Sequence, residues 1–282
     1  MSKVALVTDS TAYLPPELVN QYNITVLPQV LIWGDKTYRD GIDIQPDEFY
    51  QRLEKADVMP STSQALPADF EKVFRQLLDQ DKHVLAILLS EKLSGTMSSA
   101  YQAVANLPGT PVEIVDSQST AMAMGFQLLQ VARAAEEGAS LTECKTLAEE
   151  ARKHTGLFVT LNTLEFLHRG GRIGGGARFL GTALNLKPIL ELKDGRLEAV
   201  ERVRTRGKAL NRLMELVCER VDGKRPLRVA SLHARAPEDA RGLLDNLNSR
   251  LEIDEVVVST VSPVVGTHVG PGTVGMAWMA GM

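Results

Sequence analysis

Two cysteines, Cys144 and Cys218, are all that 282 residues provide. Neither has a CxxC neighbour, and two thiols alone cannot complete a zinc site. Both lie in helix-like segments, so buried or half-buried thiols in a reducing compartment are expected. The five histidines (His83, His154, His168, His233, His268) form no HExxH or HxH pair, so neither metal nor cofactor is expected. Aromatics are only 5% and do not interleave with basic residues, which argues against a base-stacking surface. A net charge of −4 lacks the basic excess of a nucleic-acid binder. No apolar run approaches the ~20 residues needed to span a bilayer. The run from Val4 ends at Asp9, too short for a signal peptide, so a cytoplasmic protein without an integral membrane segment is expected. There is no GxxxxGK[ST], no GxGxxG after the first strand and no GxSxG.

What remains is an ordinary globular composition: 44% apolar and 23% charged residues in 30.8 kDa. That length accommodates one large or two modest domains. Strand signals at Val4–Thr8, Val26–Trp33, Val84–Leu89 and Val112–Val115 alternate with helix signals at 67–80, 119–137 and 141–153. In the first helix Phe70, Val73, Phe74, Leu77 and Leu78 follow the i, i+3, i+4 rule, with Pro67 at its first turn. Such alternation implies a mostly parallel sheet with helices on both faces.

The pattern changes after about Phe158. Gly170–Gly176 is glycine-rich enough to read as a loop. Lys187–Leu192 and Arg196–Val203 flank Asp194-Gly195, a strong hairpin signal. Helices at 205–221 and 237–251 and strands at Arg228–Leu232 and Val256–Val258 complete a second unit. The expected fold is therefore α/β with two domains, residues 1–158 and 159–282, the second with a mixed sheet and hairpin.

Four segments could carry chemistry. Leu93–Ala100 places Ser94, Gly95 and Thr96 between a strand and a helix, either as an anion site or as a plain helix cap. Pro60–Gln64 offers Ser61, Thr62 and Ser63, again a cap or a ring of donors. Gly266–Gly272 sets His268 among glycines, which reads as close ligand approach or as a polar residue with a satisfied hydrogen bond. Between His168 and Arg212 there are eleven Lys and Arg against four acids. This run is either a solvated face or a phosphate-binding or protein-docking surface. Arg202, Arg204 and Arg206 share one face if their strand extends that far.

In order along the chain, Thr8-Asp9-Ser10, Pro60–Gln64, Leu93–Ala100, Val115-Asp116-Ser117 to Met124-Gly125, Gly170–Ile173, Lys187–Leu190 and Gly266–Gly272 resemble the DegV family, the bacterial fatty-acid-binding proteins also called FakB. The segment Phe166-Leu167-His168-Arg169 departs from that family's pattern. The resemblance implies a long-chain fatty acid held between two α/β domains, its chain in an apolar tunnel. It implies carboxylate contacts from Thr62, Ser94 and His268, supported by Ser61, Ser63, Gly95 and Thr96. It also implies that Arg172 and Arg204 face a partner, an ATP-binding fatty acid kinase that makes an acyl phosphate for phospholipid synthesis. On this reading the chain is a lipid-binding subunit and not itself an enzyme. Two other readings stand beside it. One is a stand-alone hydrolase or acyltransferase using Ser94 or Thr96 with His268; the other is a phosphate-ligand regulatory protein resting on the basic run. Met97, Met122, Met124, Met276 and Met279 read as core, with a plastic pocket as the alternative.

Overall fold

The computed structural model describes residues 3–180 and 186–282. Its elements, in chain order, begin with β1 (Val4–Asp9), α1 (Pro16–Gln21), β2 (Thr25–Leu27), β3 (Val30–Trp33) and β4 (Lys36–Arg39). There follow α2 (Pro46–Leu53), β5 (Ser61–Ser63), α3 (Pro67–Leu78), β6 (His83–Leu88), α4 (Thr96–Ala105) and β7 (Val112–Asp116). Then come α5 (Ala121–Glu136), α6 (Leu141–Ala151), β8 (Thr155–Thr160), α7 (Glu165–Arg169), β9 (Lys187–Lys193) and β10 (Arg196–Val203). The chain ends with α8 (Arg206–Val221), β11 (Leu227–His233), α9 (Pro237–Asn248), β12 (Glu255–Thr260), α10 (Pro263–Val269) and β13 (Val274–Ala280).

A four-stranded parallel sheet has the order β2-β1-β6-β7. Its continuous apolar strands are explained by burial on both faces. Ala5, Val7, Val84, Ala86 and Leu88 meet Phe70, Phe74 and Leu77 of α3 and Met97, Ala100 and Ala103 of α4. The alternate residues Leu6, Leu85 and Ile87 meet Met124, Leu128 and Val131 of α5 and Cys144 and Ala148 of α6. Ser140 and Glu143 close a capping box that starts α6.

A six-stranded mixed sheet has the order β10-β9-β8-β13-β11-β12, and only β11 and β12 pair in parallel. The β9–β10 hairpin turns at Asp194 and Gly195, both at positive φ. Helices α8 and α9 cover one face of this sheet. Helix α5 packs against its other face and also against the parallel sheet. That double contact accounts for α5 being apolar on nearly every side. At Gly125 a Cβ would lie 2.8 Å from the Ala12 carbonyl oxygen, so glycine is what lets α5 approach.

Several sequence expectations need correction. The run Val26–Trp33 is two strands in two sheets. Pro28 cannot donate to a ladder, and the chain leaves the parallel sheet there to start a three-stranded antiparallel sheet, β4-β3-β5. Pro60–Gln64 supplies the third strand of that sheet rather than a helix cap; the residue before α3 is Leu66, without a side-chain cap. The glycine run after α7 holds a 3₁₀ turn, Gly174–Phe179. Gly266 lies inside α10, where a Cβ would come 2.4 Å from the Tyr50 hydroxyl. Arg202, Arg204 and Arg206 do not share a strand face, because β10 ends at Val203 and α8 begins at Arg206. Arg202 stacks on Phe179 and Arg206 pairs with Asp239. The closing strand β13 carries no polar alternation and was not expected.

Candidate functional site

A cavity of about 970 Å³, mouth included, lies where α5, the six-stranded sheet and the three-stranded sheet meet. Its walls are apolar: Leu89, Leu93, Leu157, Val159, Leu167, Leu192, Leu197, Leu232, Val261, Val264 and Val265 line it. None of the five methionines lines it; Met97, Met122, Met124, Met276 and Met279 are core.

The polar cavity residues that the sequence singles out come from four segments distant in sequence. Strand β5 supplies Thr62 and Ser63, the loop before α4 supplies Ser94, the turn after α7 supplies Arg172, and the last turn of α10 supplies His268. These residues are stitched into one cluster. Thr62 Oγ1 lies 2.8 Å from His268 Nε2. Arg172 donates through Nε to the Leu93 carbonyl at 3.1 Å and through Nη1 to the Gly170 carbonyl at 2.8 Å. Gly170 abuts His268, and Gly95 abuts the Gln64 side chain. Ser94 Oγ is 2.9 Å from Thr96 Oγ1 and accepts from the Thr96 amide at 3.3 Å.

Burial, and then the Arg172 guanidinium, push the His268 imidazole down to about 4. The ring is therefore neutral near pH 7. Its Nδ1 is buried without a hydrogen-bond partner and faces Gly170. An N–H there would be an orphaned donor, so the bonding pattern assigns the proton to Nε2. Nε2 then donates to Thr62 Oγ1, and the Thr62 hydroxyl hydrogen is left for the cavity. The cluster thus offers neutral hydroxyl donors with one exposed guanidinium beside them.

Of the residues singled out from sequence, Thr62, Ser63, Ser94, Arg172 and His268 line the cavity. Thr96 is buried directly behind Ser94, Gly95 is exposed at the rim, and Ser61 is exposed on β5. Arg204 is exposed between β10 and α8 and does not line the cavity. Sequence reasoning missed Gln29, Thr11 and Thr120, which also line it. For Gln29 the available signal was a buried amide breaking an apolar run after Pro28. Among the described residues no group of three His, Cys, Asp or Glu is arranged to hold a metal, and no helix is long and apolar enough to cross a membrane.

The profile of a family described as uncharacterised proteins of the DegV family matches residues 3–281. A DegV domain-containing protein of Streptomyces coelicolor is 38% identical over 275 residues, covering 97% of each chain. A solved DegV family protein from Thermus thermophilus, described for its fatty acid binding, superposes with a TM-score of 0.93 at 37% identity over 99% of each chain. DegV of Bacillus subtilis, described as a fatty acid binding protein, superposes with a TM-score of 0.88 at 31% identity, covering 99% of this chain and 100% of that one. Profile, relatives and fold agree along the whole length, and the chain belongs to the DegV family.

Proposed function

We propose that this protein binds a long-chain fatty acid, with the acyl chain in the cavity and the carboxylate at Thr62, Ser94 and His268. The observation that carries this reading is an apolar cavity whose lining includes the neutral hydroxyls of Thr62 and Ser94 beside His268 and Arg172. Burying a sixteen-carbon chain stabilises a complex by on the order of 10 kcal/mol, at ~0.8 kcal/mol per methylene. Burying its carboxylate without donors costs several kcal/mol, and the Thr62 and Ser94 hydroxyls offset that cost. The solved relatives described as fatty-acid-binding proteins support the same ligand class.

The chain then acts as a carrier that presents the carboxylate to an ATP-binding kinase, which transfers a phosphoryl group to it. Arg172, exposed beside the donors, suits the developing phosphate, and exposed Arg204 suits the partner's surface. No cofactor is needed by the carrier itself. The hydrolase reading is weaker because Ser94 bonds Thr96, not His268, and the Nδ1 that an acid would hold has no partner.

The test is organic extraction of the purified, denatured protein followed by mass spectrometry. A near-stoichiometric fatty acid that is depleted in Thr62→Val and Ser94→Ala supports the reading. A cavity that stays empty after incubation with fatty acids overturns it, and esterase activity lost in Ser94→Ala favours the hydrolase.

A further inference from the structure

Behind Ser94 lies a chain of buried polar groups that the lipid site does not itself explain. Asp9 is fully buried at the end of β1. Its carboxylate accepts from the Thr11 amide at 3.0 Å, the Thr11 hydroxyl at 2.7 Å and the Leu89 amide at 2.9 Å. The Gln29 side chain lies beside it and favours its ionised form. Only Nε2 of an amide can favour a neighbouring carboxylate, which agrees with the orientation in which Nε2, and not Oε1, is the atom nearer to Thr96. That same Nε2 donates to Thr96 Oγ1 at 2.9 Å. Gln29 and Thr96 are both buried, at 1% and 0% exposure.

The direction of each bond now follows. Thr96 Oγ1 has accepted from Gln29 and has one hydrogen to give. It can give it to Ser94 Oγ at 2.9 Å or to Gln29 Oε1 at 3.3 Å, and the shorter contact is to Ser94. Ser94 Oγ also accepts the Thr96 amide. Both lone pairs of Ser94 are then filled, and all it can offer the cavity is its hydrogen.

We infer that Gln29 is a positioning residue: donating to Thr96, it orients the Thr96–Ser94 pair so that Ser94 is an obligate donor, which selects a carboxylate head group. This rests on the fatty-acid reading and adds to it the source of head-group selectivity. A primary alcohol can donate or accept, so it is insensitive to the direction of the relay, whereas a carboxylate can only accept.

The experiment compares hexadecanoic acid with hexadecanol on delipidated protein, by displacement of a fluorescent fatty acid. Gln29→Met removes the donor at similar length and no charge. Thr96→Val keeps the shape and removes the hydroxyl. Both variants are expected to bind the acid about tenfold more weakly, with alcohol affinity within twofold of the parent, the size expected for one charge-assisted hydrogen bond. Thermal melting of each variant reports whether it is folded, and Thr96→Val decides the matter if Gln29→Met is not. Unchanged acid affinity, or equal losses for acid and alcohol, overturns the positioning role. Parent protein that binds neither compound overturns instead the fatty-acid reading beneath it.

Discussion

Gly170 and His268 are packed so closely that a Cβ on the glycine would fall 2.2 Å from Nδ1 of the imidazole. The backbone at Gly170 is right-handed, so alanine fits its conformation and only the contact is at stake. Gly170→Ala is therefore expected to push His268 off Thr62 and weaken fatty acid binding at least tenfold, with little loss of stability. Gly171→Ala serves as the control. Gly171 has φ +68° and open space at its Cβ position, so its cost is backbone strain of roughly 1 kcal/mol and not ligand affinity. Equal affinity in the two variants would show that the ring is not held from this side.

Arg172 bears on the same histidine electrostatically. Burial is the larger cause of the depressed His268 basicity and the Arg172 charge the smaller. Arg172→Gln should raise the His268 pKa from about 4 while leaving it below its ordinary value of 6.5, because the burial remains. An NMR titration of the ring protons in delipidated protein measures this. A downward shift would mean that the two groups do not face each other as described.

Much of this site was legible in the sequence, and the limits have physical causes. Thr62, Ser94 and His268 stood out because small hydroxyl residues and glycines interrupt otherwise apolar segments. Their convergence was invisible, since Thr62 and His268 lie 206 residues apart and only the three-stranded sheet and α10 bring them together. The parallel sheet was legible because strands covered on both faces are apolar throughout. Strand β13 was not, because its neighbours cover it so completely that it shows no period-2 signal. Strand β5 reads as a cap or a ring of donors because its three residues are all Ser or Thr, types that also begin helices. Gln29 gives no signal of its role because a lone amide says nothing of the hydroxyl, 67 residues away, to which it donates.

Asp40 joins the two sides of the site and gives it a pH signature. Its Oδ2 accepts from the Ser10 hydroxyl at 2.7 Å and its Oδ1 from the Val264 amide at 3.1 Å, in the first turn of the helix that carries His268. Burial raises the Asp40 carboxyl to about 6. The folded state thus binds this proton more tightly than the unfolded chain. Its contribution is present below about pH 4 and is lost as pH rises to about 6, roughly 3 kcal/mol for a shift of about two units. His268 acts in the opposite sense, its lowered pKa adding stability as pH rises from about 4 to 6.5. Buried Asp9, also raised, follows Asp40. Asp40→Asn should therefore make the stability curve climb more steeply between pH 4 and 6.5 than in the parent. Urea midpoints across that range measure the slope, and an unchanged slope would remove Asp40 from the account.

The acyl chain should be measured by the cavity wall. Val159 on β8 faces the cavity opposite Gly275 of β13, where a Cβ would lie 2.9 Å from Val159 Cγ1. Enlarging Val159 to Phe fills space that methylene groups would otherwise occupy. Each excluded methylene forfeits ~0.8 kcal/mol, or about a fourfold loss of affinity. Val159→Phe is expected to lower the affinity for hexadecanoic acid far more than for dodecanoic acid, and to shorten the mean chain extracted from the purified protein. The Thr62–His268 cluster is untouched by the change, so binding of the short acid should persist. If both acids weaken in proportion, the chain runs elsewhere than along β8 and β13; if only the long one does, the apolar wall of the six-stranded sheet sets the chain length the protein accepts.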